Sequence, residues 1–403
     1  MPRSASLYVL TLLMLWTSCH SQEVPRREQW QRDFSAFDKE FVRNQIDPFG
    51  RITRAQWKDG MAQLRALPID AMSDAAVGEQ IEGLLARYHD GHIKMSPDGS
   101  TAEPEYLPVR FRWFPSGIYI TSATDPVLRR ARLLRLGDVP AESLLDRIAP
   151  WASIENESGL HNAASNTLWN AAALVAAHIA VSGKPVPMQV QLTSGEKRTV
   201  ALVPQHIASI HWSASGQIPA YRQRRSPPNW LTPLPDRSSG SIYLRYLECH
   251  DKELSRSLAK QLQSLIQNGA KQVVIYLRGN DGGDSAAFSP ILQVLQTSSA
   301  RTRRLVVLTD RETFSSAFRN ALELKDIGAT LIGEAPAQRP IYTGNVKSFL
   351  LPYSRLQIRY TTKWTRLGPG DLYEVKPDLL LQPTPEQYMR GEDPLLDKAL
   401  GIS

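Results

Sequence analysis

Hydrophobic and polar positions divide the chain into three regions with different periodicities. Residues 27–88 carry apolar side chains at helical spacing, with Phe34, Phe37 and Phe41 on one face. Residues 106–204 contain short runs in which apolar and polar positions alternate, which is typical of strands. From residue 241 onward, apolar runs of strand length alternate with amphipathic segments of helix length. The pattern therefore predicts a helical region, a β-rich region and an α/β region, in that order.

The α/β region has the order of elements that produces a parallel sheet. Its predicted strands are 241–246, 273–277, 305–308 and 330–333, and its predicted helices are 252–267, 285–296 and 316–325. Strands that alternate with helices in this way form a mostly parallel sheet with crossover helices. The predicted fold class is therefore α/β, with an N-terminal helical cap and a small β-rich module in front of the sheet.

These patterns also set the expected domain boundaries. We expect a signal peptide at 1–21, a helical region at 22–99, a β-rich substrate-binding module at 100–205, and an α/β domain at 241–403. Residues 206–240 are rich in Pro, Ser and Arg and lack periodicity, so they are predicted to form a linker or a long surface loop.

The first 21 residues have the features of a secretory signal. Arg3 supplies a positive start, residues 7–16 are nearly all apolar, and residues 17–21 are mostly small and polar. We therefore expect an exported, periplasmic or cell-surface protein. The alternative is a lipoprotein anchored to a membrane through Cys19, because residues 16–19 resemble a bacterial lipobox. Cys249 is the one other cysteine, and its apolar context predicts a packed residue without an intramolecular disulfide.

Composition excludes some classes of protein. The 403 residues are 42% hydrophobic, which is enough for substantial cores, and 47 basic against 40 acidic residues give a net charge of +7. The short arginine clusters at 129–135 and 222–225 do not alternate with aromatic residues, so no nucleic-acid partner is expected. They are interpreted as solvated faces with a weak preference for acidic partners or anionic membrane surfaces.

Candidate chemistry is concentrated around Ser315, which lies between the predicted strand 305–308 and the helix that follows it. Unpaired N–H groups at a helix start favour negative charge, as acyl transfer requires. A glycine loop with Gly282 and Gly283 follows the neighbouring strand, so it could bring further N–H groups to the serine. The predicted oxyanion donors are the backbone N–H groups of Ser316 and of Gly282 or Gly283. The plainer alternatives are a helix N-cap and an ordinary tight turn.

A second candidate lies at the end of the helical region, in the turn Asp90-Gly91-His92. Gly91 ends the helix and leaves His89 and His92 on a turn. A pair of histidines with this spacing could be half of a metal site, but no second cluster of ligands with suitable spacing follows, so no metal is expected. The plain alternative for His92 is a histidine on a surface turn.

Several motifs together resemble the C-terminal processing (tail-specific) serine peptidases, in the branch of the tricorn core and the retinoid-binding-protein relatives. The similar segments, in chain order, are Asp90-Gly-His92-Ile, residues 134–145, residues 274–283, Thr313-Phe-Ser-Ser-Ala and Val375-Lys-Pro-Asp378. The resemblance implies that Ser315 is the nucleophile, that His92 is its base, and that residues 134–145 belong to a module that is often PDZ-like.

Two residues depart from that family pattern. Processing peptidases of the Ser/Lys type carry a lysine downstream of the nucleophile, where this chain has Arg339, and Phe318 replaces a usual glutamate. Arginine cannot act as a base near neutral pH, so a Ser/His arrangement is the coherent alternative. Glu374 is the first candidate for the acid that orients His92, and Asp371 is the second. We expect Asp90, although adjacent in sequence, to point away.

The sequence therefore predicts an exported serine hydrolase, most simply a peptidase that works through an acyl-enzyme without metal or cofactor. Its partners would be peptides or proteins, which the β-rich module could bind by adding them as a strand. A different class stays open, namely an inactive protein of the same fold that binds peptides or apolar ligands. A third alternative is an esterase for small substrates.

Overall fold

The structure is a computed structural model that describes residues 24–97, 99–100, 103–213, 228–234, 240–297, 303–367 and 374–402. The predicted signal peptide with Cys19, and the acid candidate Asp371, lie outside the described residues. Among the residues described, no helix combines the length and the apolar character needed to cross a membrane.

The helices and strands follow the three predicted regions. The α-helices are α1 (Arg26–Asn44), α2 (Arg54–Arg65), α3 (Asp74–Ala86), α4 (Leu144–Ile148), α5 (Glu157–Asn166), α6 (Ala171–Ala176), α7 (Lys252–Gln267), α8 (Ser289–Leu295), α9 (Ser315–Asp326), α10 (Pro385–Arg390) and α11 (Pro394–Leu400). Short 3-10 helices lie at Ile69–Ala71, Pro126–Leu128, Ala141–Ser143, Ala149–Trp151 and Ile207–Ser209.

The strands form four sheets. They are β1 (Met95–Ser96), β2 (Glu105–Tyr106), β3 (Val109–Phe114), β4 (Gly117–Ala123), β5 (Arg132–Leu136), β6 (Val139–Pro140), β7 (Val186–Gln191), β8 (Lys197–Leu202), β9 (Gln205–His206), β10 (Trp230–Pro233), β11 (Ser241–Arg245), β12 (Gln272–Tyr276), β13 (Arg304–Thr309), β14 (Thr330–Gly333), β15 (Ile341–Leu350), β16 (Gln357–Arg366) and β17 (Leu379–Leu380). The predicted α/β class is confirmed.

The N-terminal helices pack around an aromatic core. Trp30, Phe34, Phe37 and Phe41 project from one face of α1, and Trp57 of α2 stacks on Phe41 with 5.2 Å between the ring centroids. This spacing is the helical periodicity seen in the sequence, and it buries the large rings that carry most of the hydrophobic stabilisation.

The hairpin of β15 and β16 completes this core, although the sequence assigned residues 341–366 to the α/β domain. Leu351, Leu356 and Ile358 are fully buried against the helices, and β16 also pairs with β1. The sequence pattern does not indicate this packing, because residues 345–348 of β15 are all exposed and the strand shows no alternation of apolar and polar positions. Tertiary packing, which local pattern does not report, decides where the hairpin lies.

The β-rich module is an antiparallel sheet with strand order β3-β4-β5-β7-β8, and β6 pairs with β5. Its inward residues, such as Val109, Phe111 and Ile120, form one core with α4 and the residues that precede α6. The comparison with a PDZ domain stays a prediction. Helix α5 was not anticipated, because its segment is short and rich in Ser, Asn and Ala.

The α/β domain contains a sheet with strand order β10-β11-β12-β13-β14-β17. All of its pairs are parallel except the one between β10 and β11, which is antiparallel. Helices α7, α8 and α9 cover one face, and α11 covers the other. Strand β10 lies in the segment predicted to be a linker, so that prediction is wrong for residues 230–233. Pairing with β11 orders a short segment that lacks a strand pattern.

Buried ion pairs join the α/β sheet to the β-rich module. Arg311 is 2% exposed and donates to both carboxylate oxygens of Glu334, at 2.6 and 2.8 Å. The same guanidinium donates to the carbonyl of Trp113 in β3 at 3.1 Å. Arg112 of β3 lies 3.7 Å from Glu334 and 3.1 Å from Glu312. Burial alone would raise the pKa of Glu334, but the charge and hydrogen bonds of Arg311 lower it to about 2.

Replacing Glu334 with Gln should therefore destabilise the folded chain. The change leaves two buried guanidinium groups without their shared carboxylate, which typically costs about 3–5 kcal/mol. Unfolding in urea, monitored by tryptophan fluorescence, measures the loss in the free energy of unfolding. The control is Glu323→Gln, because Glu323 pairs with Arg319 at a half-exposed position on α9. That change should cost about 0–1 kcal/mol. Equal losses for the two variants would contradict the role given to the buried pair.

Candidate active site

The loop that carries Ser315 is fixed by hydrogen bonds to the neighbouring strand and glycine loop. Strands β12 and β13 pair in parallel, so the loops that follow them leave the sheet at the same edge. Thr313 donates from its hydroxyl to the carbonyl of Leu277 at 3.0 Å, and Phe314 donates from its N–H to the carbonyl of Asn280 at 2.9 Å. The predicted proximity of the two loops follows from this geometry, which is typical of ligand sites in open α/β sheets.

Ser315 begins α9 with an unusual backbone conformation. Its φ angle is +53°, in the left-handed region that residues other than glycine seldom adopt. Such strain is stored mainly at functional sites. Ser315 is half-buried and is the first residue of the helix.

His92 lies against Ser315, as predicted. Its Nε2 is 3.0 Å from Oγ of Ser315, across 223 positions of sequence. His92 is only 6% exposed, so it is not a histidine on a surface turn, whereas His89 is exposed and contacts the carbonyl of Ile154. A general base within direct hydrogen-bond reach of a hydroxyl can remove its proton.

The carboxylate that orients His92 belongs to Asp90, which corrects the expectation for Glu374. Oδ1 of Asp90 lies 3.1 Å from Nδ1 of His92 and accepts the backbone N–H of His92 at 2.9 Å. This tight turn folds the aspartate side chain back onto the residue two positions later, so Asp90 does not point away. Glu374 lies half-buried in the coil before β17, and no described contact joins it to His92.

The second oxygen of Asp90 is bound from the hairpin. Thr343 of β15 donates to Oδ2 of Asp90 from its hydroxyl and, at 3.3 Å, from its backbone N–H. Thr361 of β16 in turn donates to the hydroxyl of Thr343 at 2.7 Å and from its N–H to the side chain of Gln45 at 2.8 Å. A chain of hydrogen bonds therefore runs from the C-cap of α1 to Asp90, and it fixes the position of this carboxylate. Ser315, His92 and Asp90 together form the candidate triad.

Aromatic rings enclose the imidazole of His92. The ring of Tyr342 stacks on it with a centroid distance of 5.4 Å, and the ring of Phe314 lies 4.8 Å away. Rings on two sides restrict rotation of the imidazole and keep water from the Asp90–His92 hydrogen bond, which strengthens that bond.

Glu155 is a second buried carboxyl beside the triad, and sequence reasoning did not find it. Its oxygens accept the backbone N–H groups of Gly91 and Arg339, both at 2.9 Å. Burial, followed by the nearby negative charge of Asp90, raises the pKa of Glu155 to about 8. Burial acts on Asp90 in the same direction, but the hydrogen bond and charge of His92 outweigh it and lower the pKa of Asp90. The two shifts therefore favour the charged form of Asp90 and the neutral form of Glu155.

The candidate oxyanion donors differ in availability. The N–H of Gly282 already donates to Oδ1 of Asn280 at 2.9 Å, so the expectation for Gly282 as a donor is wrong. The N–H groups of Gly283 and Ser316 have no hydrogen-bond partner among the described residues. The hydroxyl of Ser316 donates to the carbonyl of Gly283 at 2.7 Å, which holds the two donors near each other. Ser316 and Gly283 are therefore the better pair.

Gly282 contributes to the site instead by allowing its loop to pack closely against Ser315. Its φ angle is +102°, and a Cβ at this position would lie 2.6 Å from Cβ of Ser315 and 2.8 Å from N of Ser316. Only a residue without a side chain permits the loop to lie this close to the nucleophile.

A cleft of about 920 Å³ opens beside the candidate triad, between the helical region, the β-rich module and the α/β domain. Gly91 and Phe314 line it next to His92 and Ser315, and Trp151, Arg311 and His250 line it farther away. This volume is typical of pockets that hold a small ligand or a few residues of a peptide.

The site also contains three groups of the kind that bind metals. Ligand atoms of Asp90, His92 and Glu155 lie within 4.8 Å of one another. Each of these groups is already used in the hydrogen bonds described above, which account for their burial without an ion. Cys249 lies nearby but is fully buried, and burial raises the pKa of its thiol to about 12, so it fits the packed residue that was predicted.

Replacing Gly282 with Ala should abolish most of the reactivity of Ser315. The new methyl group must displace Ser315 or Ser316, and a displacement of about 1 Å can lower rates about 100-fold. Reaction with a fluorophosphonate, which labels activated serines, measures the effect. Gly195→Ala is the control, because Gly195 also has a positive φ, +89°, but no atom within 4 Å of the new Cβ. Equal labelling of the two variants would contradict the steric argument.

Replacing Glu155 with Gln should reduce the loss of stability that accompanies a rise in pH from about 4.5 to 8. Because the pKa of Glu155 is raised on folding, the folded state binds more protons than the unfolded state between about pH 4.5 and 8, and stability falls as pH rises through this range. Glutamine cannot ionise, so the thermal midpoint of the variant should depend less on pH. Differential scanning fluorimetry between about pH 4.5 and 8 tests this, with Glu157→Gln as the exposed control. Identical pH profiles for wild type and Glu155→Gln would contradict the assignment.

Solved structures share this fold. The structure of mature CPAF complexed with lactacystin matches 93% of this chain and 98% of that chain, with a TM-score of 0.66 at 12% sequence identity. The crystal structure of mature CPAF gives a TM-score of 0.61 at 12% identity, over 93% of this chain and 96% of that chain. No family model and no curated protein sequence matches the chain. The chain has the fold of CPAF.

Proposed function

We propose that the chain is a serine peptidase that forms an acyl-enzyme through Ser315. The observation that carries the proposal is the 3.0 Å separation between Nε2 of His92 and Oγ of Ser315. Asp90 on Nδ1 fixes the tautomer of the imidazole that leaves Nε2 free to accept a proton. The fold of CPAF, the positive φ of Ser315 and the adjacent cleft support the same conclusion.

The first half of the reaction needs a base and an oxyanion site. Nε2 of His92 takes the proton from Ser315 as Oγ bonds to the substrate carbonyl carbon, and the carbonyl π pair moves to oxygen. The N–H groups of Ser316 and Gly283 would stabilise this oxyanion, aided by the positive end of α9. Asp90 stabilises the imidazolium that forms. As the intermediate collapses, the C–N bond breaks and Nε2 gives its proton to the leaving amine.

The second half of the reaction uses the same groups with water. Water replaces the amine, gives a proton to Nε2 and attacks the acyl carbon. The ester bond to Ser315 breaks, and Oγ takes the proton back. No cofactor or metal takes part in this scheme.

The cellular setting of this activity is also a proposal. The sequence features of residues 1–21 support export to the periplasm or cell surface, with a membrane anchor on Cys19 as the alternative. Peptides or proteins are the proposed substrates, because the β-rich module borders the cleft through Tyr106 and the helix that contains Asn162.

Labelling with a fluorophosphonate separates a hydrolase from an inactive ligand-binding protein. Wild type should be labelled, Ser315→Ala should not, and His92→Ala should react about 100- to 10,000-fold more slowly, which is the usual contribution of a general base. His89→Ala is the matched control, since His89 lies in the same turn but is exposed and does not contact Ser315. Unlabelled wild type, or equal rates for the two histidine variants, would contradict the proposal. Turnover of short acyl esters without cleavage of peptides would instead indicate an esterase.

A further inference from the structure

The backbone N–H of Ser315 is held by a side chain that the reaction scheme does not use. This N–H donates to Oε1 of Gln338, which lies 23 residues later in the chain. Gln338 is completely buried, so its amide faces protein on all sides. The contact falls on the residue whose left-handed conformation aims the nucleophile.

The segment around Gln338 is fixed to the part of the chain that also holds the histidine turn. Asn156 donates from its side chain to the carbonyl of Pro336 at 2.9 Å and, more weakly, to that of Gln338 at 3.4 Å. The adjacent Glu155 accepts the N–H of Arg339 and that of Gly91, both at 2.9 Å. Glu155 thus holds both the turn that carries His92 and the segment that carries Gln338, and the adjacent Asn156 adds hydrogen bonds to that segment.

The amide of Gln338 stabilises the fold less than an apolar side chain of similar shape could. Its Nε2 is buried and has no hydrogen-bond partner among the described residues. A buried donor without a partner costs free energy, and an apolar side chain of similar shape would avoid that cost. The group satisfied by Oε1 is one of the first N–H groups of a helix, which many simpler side chains could cap.

We propose that Gln338 is a positioning residue for the nucleophile, an inference that rests on the proposed function. Its side-chain carbonyl fixes the N–H of Ser315, which keeps the left-handed backbone conformation and places Oγ on Nε2 of His92. It also occupies the N–H of Ser315 itself, so the oxyanion is left to Ser316 and Gly283. Because the amide is neutral, it adds no negative charge where the oxyanion develops.

Gln338→Met tests positioning against simple packing. Methionine has a similar length and no acceptor, so Ser315 loses its constraint. The second-order rate of labelling by a fluorophosphonate should fall about 10- to 100-fold, and kcat on a cleaved peptide should fall with little change in KM. The thermal midpoint should stay near that of wild type, because the change frees one buried donor and removes another. Gln272→Met is the matched control, since Gln272 is also buried but donates to Ala399, far from the site.

Gln338→Glu tests whether the side chain that holds the N–H of Ser315 must be neutral. The protonated carboxyl is nearly isosteric with the amide and presents the same acceptor, whereas the ionised carboxylate accepts the N–H equally well but opposes the oxyanion. The ratio of the labelling rate of Gln338→Glu to that of wild type should therefore fall at least about 10-fold as pH rises through the pKa of the new carboxyl. A ratio that is independent of pH would contradict the proposed proximity of this side chain to the oxyanion.

The outcomes separate this inference from the function beneath it. Labelled wild type with slow Gln338→Met, unaffected Gln272→Met and a falling ratio for Gln338→Glu would support the inference. Labelled wild type with Gln338→Met at the wild-type rate, or with a flat ratio for Gln338→Glu, would overturn it and leave the proposed peptidase intact. Wild type that the probe does not label would overturn both.

Discussion

The carboxylate of Asp90 is the point at which separate parts of the fold are joined at the site. One oxygen binds the backbone and the ring of His92, and the other binds Thr343 of the hairpin. Through Thr361 and Gln45 the same network reaches the first helix. A buried carboxylate is tolerated only when its lone pairs are satisfied, so the hairpin and the helical region must dock in this arrangement for the histidine to face Ser315. The geometry of the candidate triad is thus a consequence of domain packing.

The charge distribution around Asp90 follows from the same requirement. Glu155 lies close enough to interact with Asp90, and two buried carboxylates side by side would repel each other. The pKa values separate, with that of Asp90 lowered and that of Glu155 raised to about 8. The negative charge is thus favoured on the carboxyl that contacts His92. Glu155 keeps its structural contacts with Gly91 and Arg339 in the neutral form, since each oxygen retains a lone pair.

Local sequence pattern predicted the parallel sheet and the meeting of its two loops, because strands β12 and β13 are short apolar runs separated by a helix. Ser315 and His92 emerged from motifs, and the fold brings them together. The identity of the acid did not emerge, because the direction of the Asp90 side chain depends on turn geometry and on Thr343, which is 253 positions away. Glu155 and Gln338 were missed for the same reason. Each is an ordinary polar residue in sequence and acquires its role only through distant backbone partners.

This chain lacks the lysine of the Ser/Lys peptidases, and the contacts of Arg339 and Gln338 show what occupies that part of the site. Arg339, which stands near the expected position of that lysine, donates to the backbone carbonyl of Glu155, and a guanidinium offers no acceptor for a proton. Its neighbour Gln338 places a neutral amide against the backbone of Ser315. Neither group can accept a proton from Oγ. Gln338 and Arg339 therefore hold the backbone in place and take no part in proton transfer. In the proposed scheme the proton passes instead to His92, whose Nε2 lies within hydrogen-bond reach of Oγ.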